Sequence, residues 1–220
     1  MKPTLKPRVK ICCISSRAEA ALAIDYGAAA LGLVATMPSG PGCISDADIK
    51  TIAATIPPPI ATFLLTCRTD AAAIIEHQKM VGTNTIQLVD ELTNGSHSMI
   101  RRELPGIRIV QVIHVMDDSA IDESLRVSPE VDAILLDSGN PKLAIKELGG
   151  TGRVHNWQIS RQIRERISIP VFLAGGLNPE NVGEAVEIVR PFGVDICNGV
   201  RTEGRLDPEK LARFFKALGY

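Results

Sequence analysis

Eight short runs of β-branched or apolar residues recur along the chain, each followed by a longer amphipathic stretch, and this alternation limits the accessible folds more than any single motif does. Strands buried on both faces of a parallel sheet read as continuous apolar runs. The runs are RVKICCI (8–14), ALGLVA (30–35), IATFLLT (60–66), TIQLV (85–89), IRIVQVI (107–113), DAILLD (132–137), PVFLAG (170–175) and GVDICNG (193–199). Helical patterns fill the gaps. RAEAALAIDYG stops at Gly27, NPENVGEAVEIVRPFG offers Asn178 as a cap with Pro179 in its first turn, and DPEKLARFFKAL follows the last run. Eight β–α units predict an α/β fold, a single (β/α)8 TIM barrel, with a doubly wound open sheet as the alternative. No low-complexity linker interrupts the 220 residues, and TIPPPIA reads as a stiff connection, so residues 1–220 are expected to form one domain.

Composition narrows the function classes. Lys plus Arg number 24 against 25 for Asp plus Glu, which leaves no basic excess for a phosphodiester backbone; no nucleic-acid partner is expected. The five cysteines, Cys12, Cys13, Cys43, Cys67 and Cys197, are scattered without a C-x-x-C pair and read as reduced thiols of a cytoplasmic protein. The basic start MKPTLKPRVK is followed by an apolar stretch that Arg17, Glu19 and Asp25 interrupt, too short for a signal-peptide core or a membrane span. His77, His97, His114 and His155 lack metal-ligand spacing, so no metal is expected. A monomer and a homodimer both fit the alanine-rich helices.

In a barrel, chemistry gathers where strands end and the following loops begin. That filter retains Cys12 and Cys13, the loop TMPSGPGC (36–43), Arg68, Asp137 with the glycine-rich segment after it, AGGLN (174–178) and CNGVR (197–201). Small residues after strands 7 and 8 expose backbone N–H groups and commonly hold phosphate. Gly175 and Gly176, with Asn198 and Gly199, occupy those places. Side chains alternate across a strand, so Lys10 and Cys12 share one face while Ile11 and Cys13 share the other. A lysine suits a polar barrel interior and an isoleucine the layer under the helices. Cys12 is therefore the better candidate, and a regular strand would keep Cys13 out of the mouth. Asp137 ends an apolar run, where a carboxylate is costly unless it is paired or functional. A thiolate base facing a carboxylic acid makes a proton-transfer pair.

These residues resemble one family closely. VKICCIS is similar to the opening K-I-C-G-[IL]-[TS] of phosphoribosylanthranilate isomerases of tryptophan biosynthesis. LLDS followed by GGTGRVHNW resembles their LLD…GG[ST]G segment, and FLAGGLNPENVGEAVEIVRPFGVDICNGVR is similar almost throughout to their strand-7 to strand-8 region. The resemblance implies a (β/α)8 barrel that carries out an Amadori rearrangement of N-(5-phosphoribosyl)anthranilate, a small phosphorylated sugar, without cofactor. It implies Cys12 as the base that takes the proton from ribose C2, Asp137 as the acid that protonates the ring oxygen, and Gly175, Gly176, Asn198 and Gly199 at the phosphate. With Lys10, Gly149, Gly150, Arg68 and Arg201 these make up the expected substrate- and phosphate-binding set.

The departures from the family pattern bear on the same site. Gly42 stands where the family's strand-2 loop carries an arginine associated with the substrate carboxylate, a contact worth roughly 1.5–3 kcal/mol. Cys13 replaces a glycine, Val89 a histidine and Arg201 a glutamate, while Arg68 stands where asparagine is frequent. Arg68 or Arg201 is expected to supply the cation that Gly42 lacks. The alternative function is a relative that keeps phosphate binding but takes another phosphorylated ligand, as an enzyme or as a binding protein.

Overall fold

The computed structural model describes residues 6–220; the first five residues of the basic start MKPTLKPRVK lie outside the described residues. Eight parallel strands, β1 (Arg8–Ile11), β2 (Ala30–Val34), β3 (Ala61–Thr66), β4 (Thr85–Leu88), β5 (Arg108–His114), β6 (Ala133–Asp137), β7 (Val171–Leu173) and β8 (Gly193–Ile196), close into a barrel in sequence order, with β8 pairing back onto β1. The (β/α)8 barrel expected from the alternation is the observed fold, and the open sheet is excluded by the β1–β8 pairing.

The helices α1 (Arg17–Asp25), α2 (Asp46–Ala53), α3 (Ala71–Val81), α4 (His97–Glu103), α5 (Ser119–Val127), α6 (Trp157–Arg166), α7 (Val182–Val189) and α8 (Pro208–Ala217) form the outer ring. Several starts are fixed by side-chain caps: Ser16, Ser45, Asp70, Asn156 and Asp207 each accept a backbone N–H from the first turn. α7 begins later than its sequence indicates. Asn178 does accept N–H groups from Glu180 and Asn181, but residues 179–181 form a turn, and the helix proper starts at Val182. Among the described residues no helix is long and apolar enough to cross a membrane.

Period-two alternation sorts the strands into two cores. Val9, Ile11, Leu31, Leu33, Leu64 and Ile86 pack outward under the helices. Val34, Phe63, Leu65, Val110, Leu135 and Phe172 fill the interior. The inward set also carries the polar residues. Lys10 of β1 pairs in register with Asp195 of β8, and His114 of β5 with Asp137 of β6. A short antiparallel hairpin, β9 (Arg201–Thr202) with β10 (Arg205–Leu206), follows β8 and leads into α8.

Candidate active site

The ends of the strands and the loops beyond them enclose a cavity of about 300 Å³, at the lower end of the usual range for small-molecule sites. Cys12 reaches it from the end of β1 and Asp137 from the end of β6. Gly149, Gly150, Gly175, Gly176, Asn198 and Gly199 line the same space. The side chain of Asn198 donates to the carbonyl of Gly150 at 3.0 Å, which ties the turn after β8 to the glycine-rich loop after β6.

Cys12 sits on the inward face with Lys10, as alternation requires. Cys13 departs from that pattern. β1 ends at Ile11, and Cys13 takes a left-handed backbone (φ +62°), so the chain turns and both cysteines line the cavity. The expectation that Cys13 would face away fails because the strand does not continue through it. Cys13 Sγ lies 2.8 Å from the Cys197 thiol and donates to the Pro41 carbonyl at 3.5 Å.

Beneath Cys12, the fully buried Lys10 ammonium donates to Asp195 at 2.8 Å. Burial alone would lower the lysine pKa, but the Asp195 carboxylate and the neighbouring Cys12 outweigh it and hold Lys10 above its ordinary value. Lys10 is not among the residues lining the cavity; its charge acts from below. The adjacent Cys13 thiol favours the thiolate of Cys12; burial opposes it and the Lys10 charge supports it, so the net shift is downward. Cys13 is shifted the other way, upward, by its contacts with Cys12 and Cys197 and then by burial. One of the two adjacent thiols is thus set up to ionise and the other to stay protonated.

Asp137 carries the opposite perturbation. Burial pushes its carboxyl up, against the Ser138 N–H that donates to Oδ1 at 2.7 Å and against nearby His114. The loop backbone closes tightly over it: a Cβ built on Gly149 would lie 2.7 Å from Asp137 Oδ2, so only glycine lets the chain approach this closely. A thiol biased toward its base form and a carboxyl biased toward its acid form therefore face one enclosed space.

Neither arginine expected to supply a cation faces the cavity. Arg201 is turned beneath the β1 turn: Nη1 donates to Glu19 at 2.8 Å and to the Gly204 carbonyl at 2.9 Å, and Nη2 to the Cys12 and Cys13 carbonyls at 3.1 and 2.6 Å. Its guanidinium holds the site's backbone instead of a ligand. Arg68 is exposed, and its Nε bonds His77 Nδ1 at 3.2 Å. Two polar cavity residues escaped the sequence reading. Asp195 carries the signal that singled out Asp137, a carboxylate inside an apolar strand. Gln87, whose buried amide oxygen has no hydrogen-bond partner in the structure, carried none.

The model of the N-(5'-phosphoribosyl)anthranilate (PRA) isomerase family matches residues 9–217. A protein named N-(5'-phosphoribosyl)anthranilate isomerase 2 from Methanosarcina mazei is 36% identical over 209 residues, covering 94% of this chain and 92% of its own. The N-(5'-phosphoribosyl)anthranilate isomerase of Methanocella arvoryzae is 32% identical over 208 residues, covering 94% and 95%. Among solved structures, phosphoribosyl anthranilate isomerase from Thermotoga maritima superposes with a TM-score of 0.79 at 28% identity over 97% of this chain and 98% of that one. Another isomerase structure, solved in complex with reduced 1-(o-carboxyphenylamino)-1-deoxyribulose 5-phosphate, gives 0.77 at 26% identity, covering 97% and 98%.

Proposed function

Because this chain belongs to the N-(5'-phosphoribosyl)anthranilate isomerase family, we propose that Cys12 and Asp137 are the base and the acid of its isomerisation of the phosphoribosyl amine. The observation that carries the assignment is their placement: two oppositely biased proton-transfer groups on one cavity, with small-residue turns after β7 and β8 at its edge.

In the first step Asp137 gives its proton to the ribose ring oxygen as the bond from that oxygen to C1 breaks, leaving the nitrogen and C1 joined as an iminium. The Cys12 thiolate then removes the C2 proton, and that bond's electron pair moves between C2 and C1 while the iminium electrons return to nitrogen. The product is the enol of the aminodeoxyketose. One proton enters at oxygen and one leaves from carbon, so the reaction is balanced as an isomerisation. The Cys13 thiol and the Lys10 charge below bias Cys12 toward its thiolate, and burial biases Asp137 toward its protonated form.

The phosphate is held by backbone N–H groups at Gly175, Gly176, Asn198 and Gly199, after the pattern of other barrels. No role in phosphate binding is assigned to Lys10 or Arg201, whose charges are paired with Asp195 and Glu19.

The test follows the loss of fluorescence of phosphoribosylanthranilate generated in situ. The purified protein accelerates it, and Asp137→Asn slows turnover by about 10²–10⁴-fold, the range for losing a general acid. Turnover unchanged in Asp137→Asn overturns the assignment.

A further inference from the structure

Among the described residues that line the cavity, the ionisable side chains are Cys12, Cys13, Cys197, Asp137 and Asp195; none is lysine, arginine or histidine. On the side formed by β2, β3 and β4, away from the turns after β7 and β8, the wall is Val34, Met37, Pro41, Leu65 and Val89, with Leu148 reaching in from the loop after β6. That half of the cavity is uncharged and mostly apolar, its polar side chains being the neutral Gln87 and Ser39. The one lysine in reach of the floor is already matched by Asp195.

The loop conformation keeps it so. Gly42 has a left-handed backbone (φ +78°), and a Cβ built there would lie 2.4 Å from Cys13 Cβ and 2.8 Å from Cys13 Sγ. The Cys13 side chain thus occupies the space that any side chain at position 42 would need, and its thiol bonds the carbonyl of Pro41 next door. Positions 13 and 42 are sterically coupled: a side chain at one excludes a side chain at the other.

We propose that Cys13 and Gly42 together set the specificity of the amine-binding half of the site, leaving it without a cation, so that the enzyme takes N-(5-phosphoribosyl) amines whose aromatic or aliphatic substituent carries no carboxylate on at least equal terms with the anthranilate compound. This rests on the isomerase reading above and names the substrate class of the same site. An ionised carboxylate placed against these walls loses its hydration with no positive charge to replace it, and it adds a further anion to a cavity that already holds the Cys12 thiolate. Removing the carboxylate from the substrate removes that penalty.

The experiment compares kcat/KM for N-(5-phosphoribosyl)anthranilate and N-(5-phosphoribosyl)aniline in the wild type, Gly42→Arg, Cys13→Gly and the double variant. The wild type is expected to use the aniline compound at least as well. Gly42→Arg alone is expected to lose activity on both compounds, because its Cβ overlaps Cys13. The double variant is expected to recover turnover and to shift preference toward the anthranilate compound by tenfold or more, chiefly through KM, as an added arginine–carboxylate contact would. A wild-type preference for anthranilate of tenfold or more overturns the proposal, as does a tenfold gain in that preference in Gly42→Arg with Cys13 still in place. Turnover of neither compound by the wild type contradicts the isomerase reading itself and takes this proposal with it.

Discussion

Nη2 of Arg201 donates to the carbonyl of Cys13 at 2.6 Å across a sequence separation of 188 residues, so the turn that presents both site cysteines is held from the far end of the barrel sequence. The guanidinium is buried with Glu19, which also accepts the Leu206 N–H at 3.0 Å, so one ion pair joins β1, α1 and the hairpin after β8. Arg201→Met leaves the largely buried Glu19 carboxylate without its counter-charge and the carbonyls of Cys12, Cys13 and Gly204 without their arginine donor. The expected loss is about 3–5 kcal/mol, the cost of breaking a buried pair from one side. Urea unfolding followed by circular dichroism reads it directly as a lowered midpoint with unchanged slope.

The Lys10–Asp195 pair makes a prediction about the base. Cys12 ionises below the ordinary thiol value of 9.0, with the Cys13 thiol and the Lys10 ammonium favouring the thiolate. The pH profile of Cys12 alkylation by iodoacetamide, read by peptide mass spectrometry, therefore has its midpoint below 9.0. Lys10→Met combined with Asp195→Asn removes the charge below Cys12 without stranding a buried partner. The midpoint then moves up, because the lysine acts on Cys12 more strongly than the aspartate does.

Asp137 predicts a trade of stability for activity. Its folded-state pKa is raised above the ordinary 3.8, so the fold binds that proton more tightly than the unfolded chain does. The contribution to stability is fully present below 3.8 and is lost as pH rises through the folded value, the cost being that the folded carboxyl holds a proton that the unfolded chain releases. Asp137→Asn removes that cost. At neutral pH the variant is expected to melt higher than the wild type, by about 2–4 °C per kcal/mol relieved, and at pH 3 the difference should vanish. Calorimetric scans at the two pH values check both the sign and the window.

Much of this site can be seen in the sequence, for reasons that the structure makes plain. All eight strands stand where continuous apolar runs place them, since a strand covered on both faces has no solvent side to mark with polar residues. Their ends are less legible. β1 stops at Ile11 although the apolar run continues to Ile14, because the left-handed turn at Cys13 depends on Gly42 and Pro41 in a distant loop. Period-two alternation identified Cys12 as inward but could not see that the chain would bend and bring Cys13 in beside it. Arg201 was misread for a related reason. A cation after the last strand looks ready for a ligand until Glu19, at the other end of the chain, is found next to it.

The most direct test of the account sets the wild type, Cys12→Ala and Cys13→Ala side by side in the phosphoribosylanthranilate fluorescence assay. Cys12→Ala is expected to lose turnover by about 10²–10⁴-fold, the contribution of a positioned general base, while Cys13→Ala stays within tenfold of the wild type. Equal loss in the two variants, or turnover that survives in Cys12→Ala and disappears in Cys13→Ala, would contradict the assignment of Cys12 as the base.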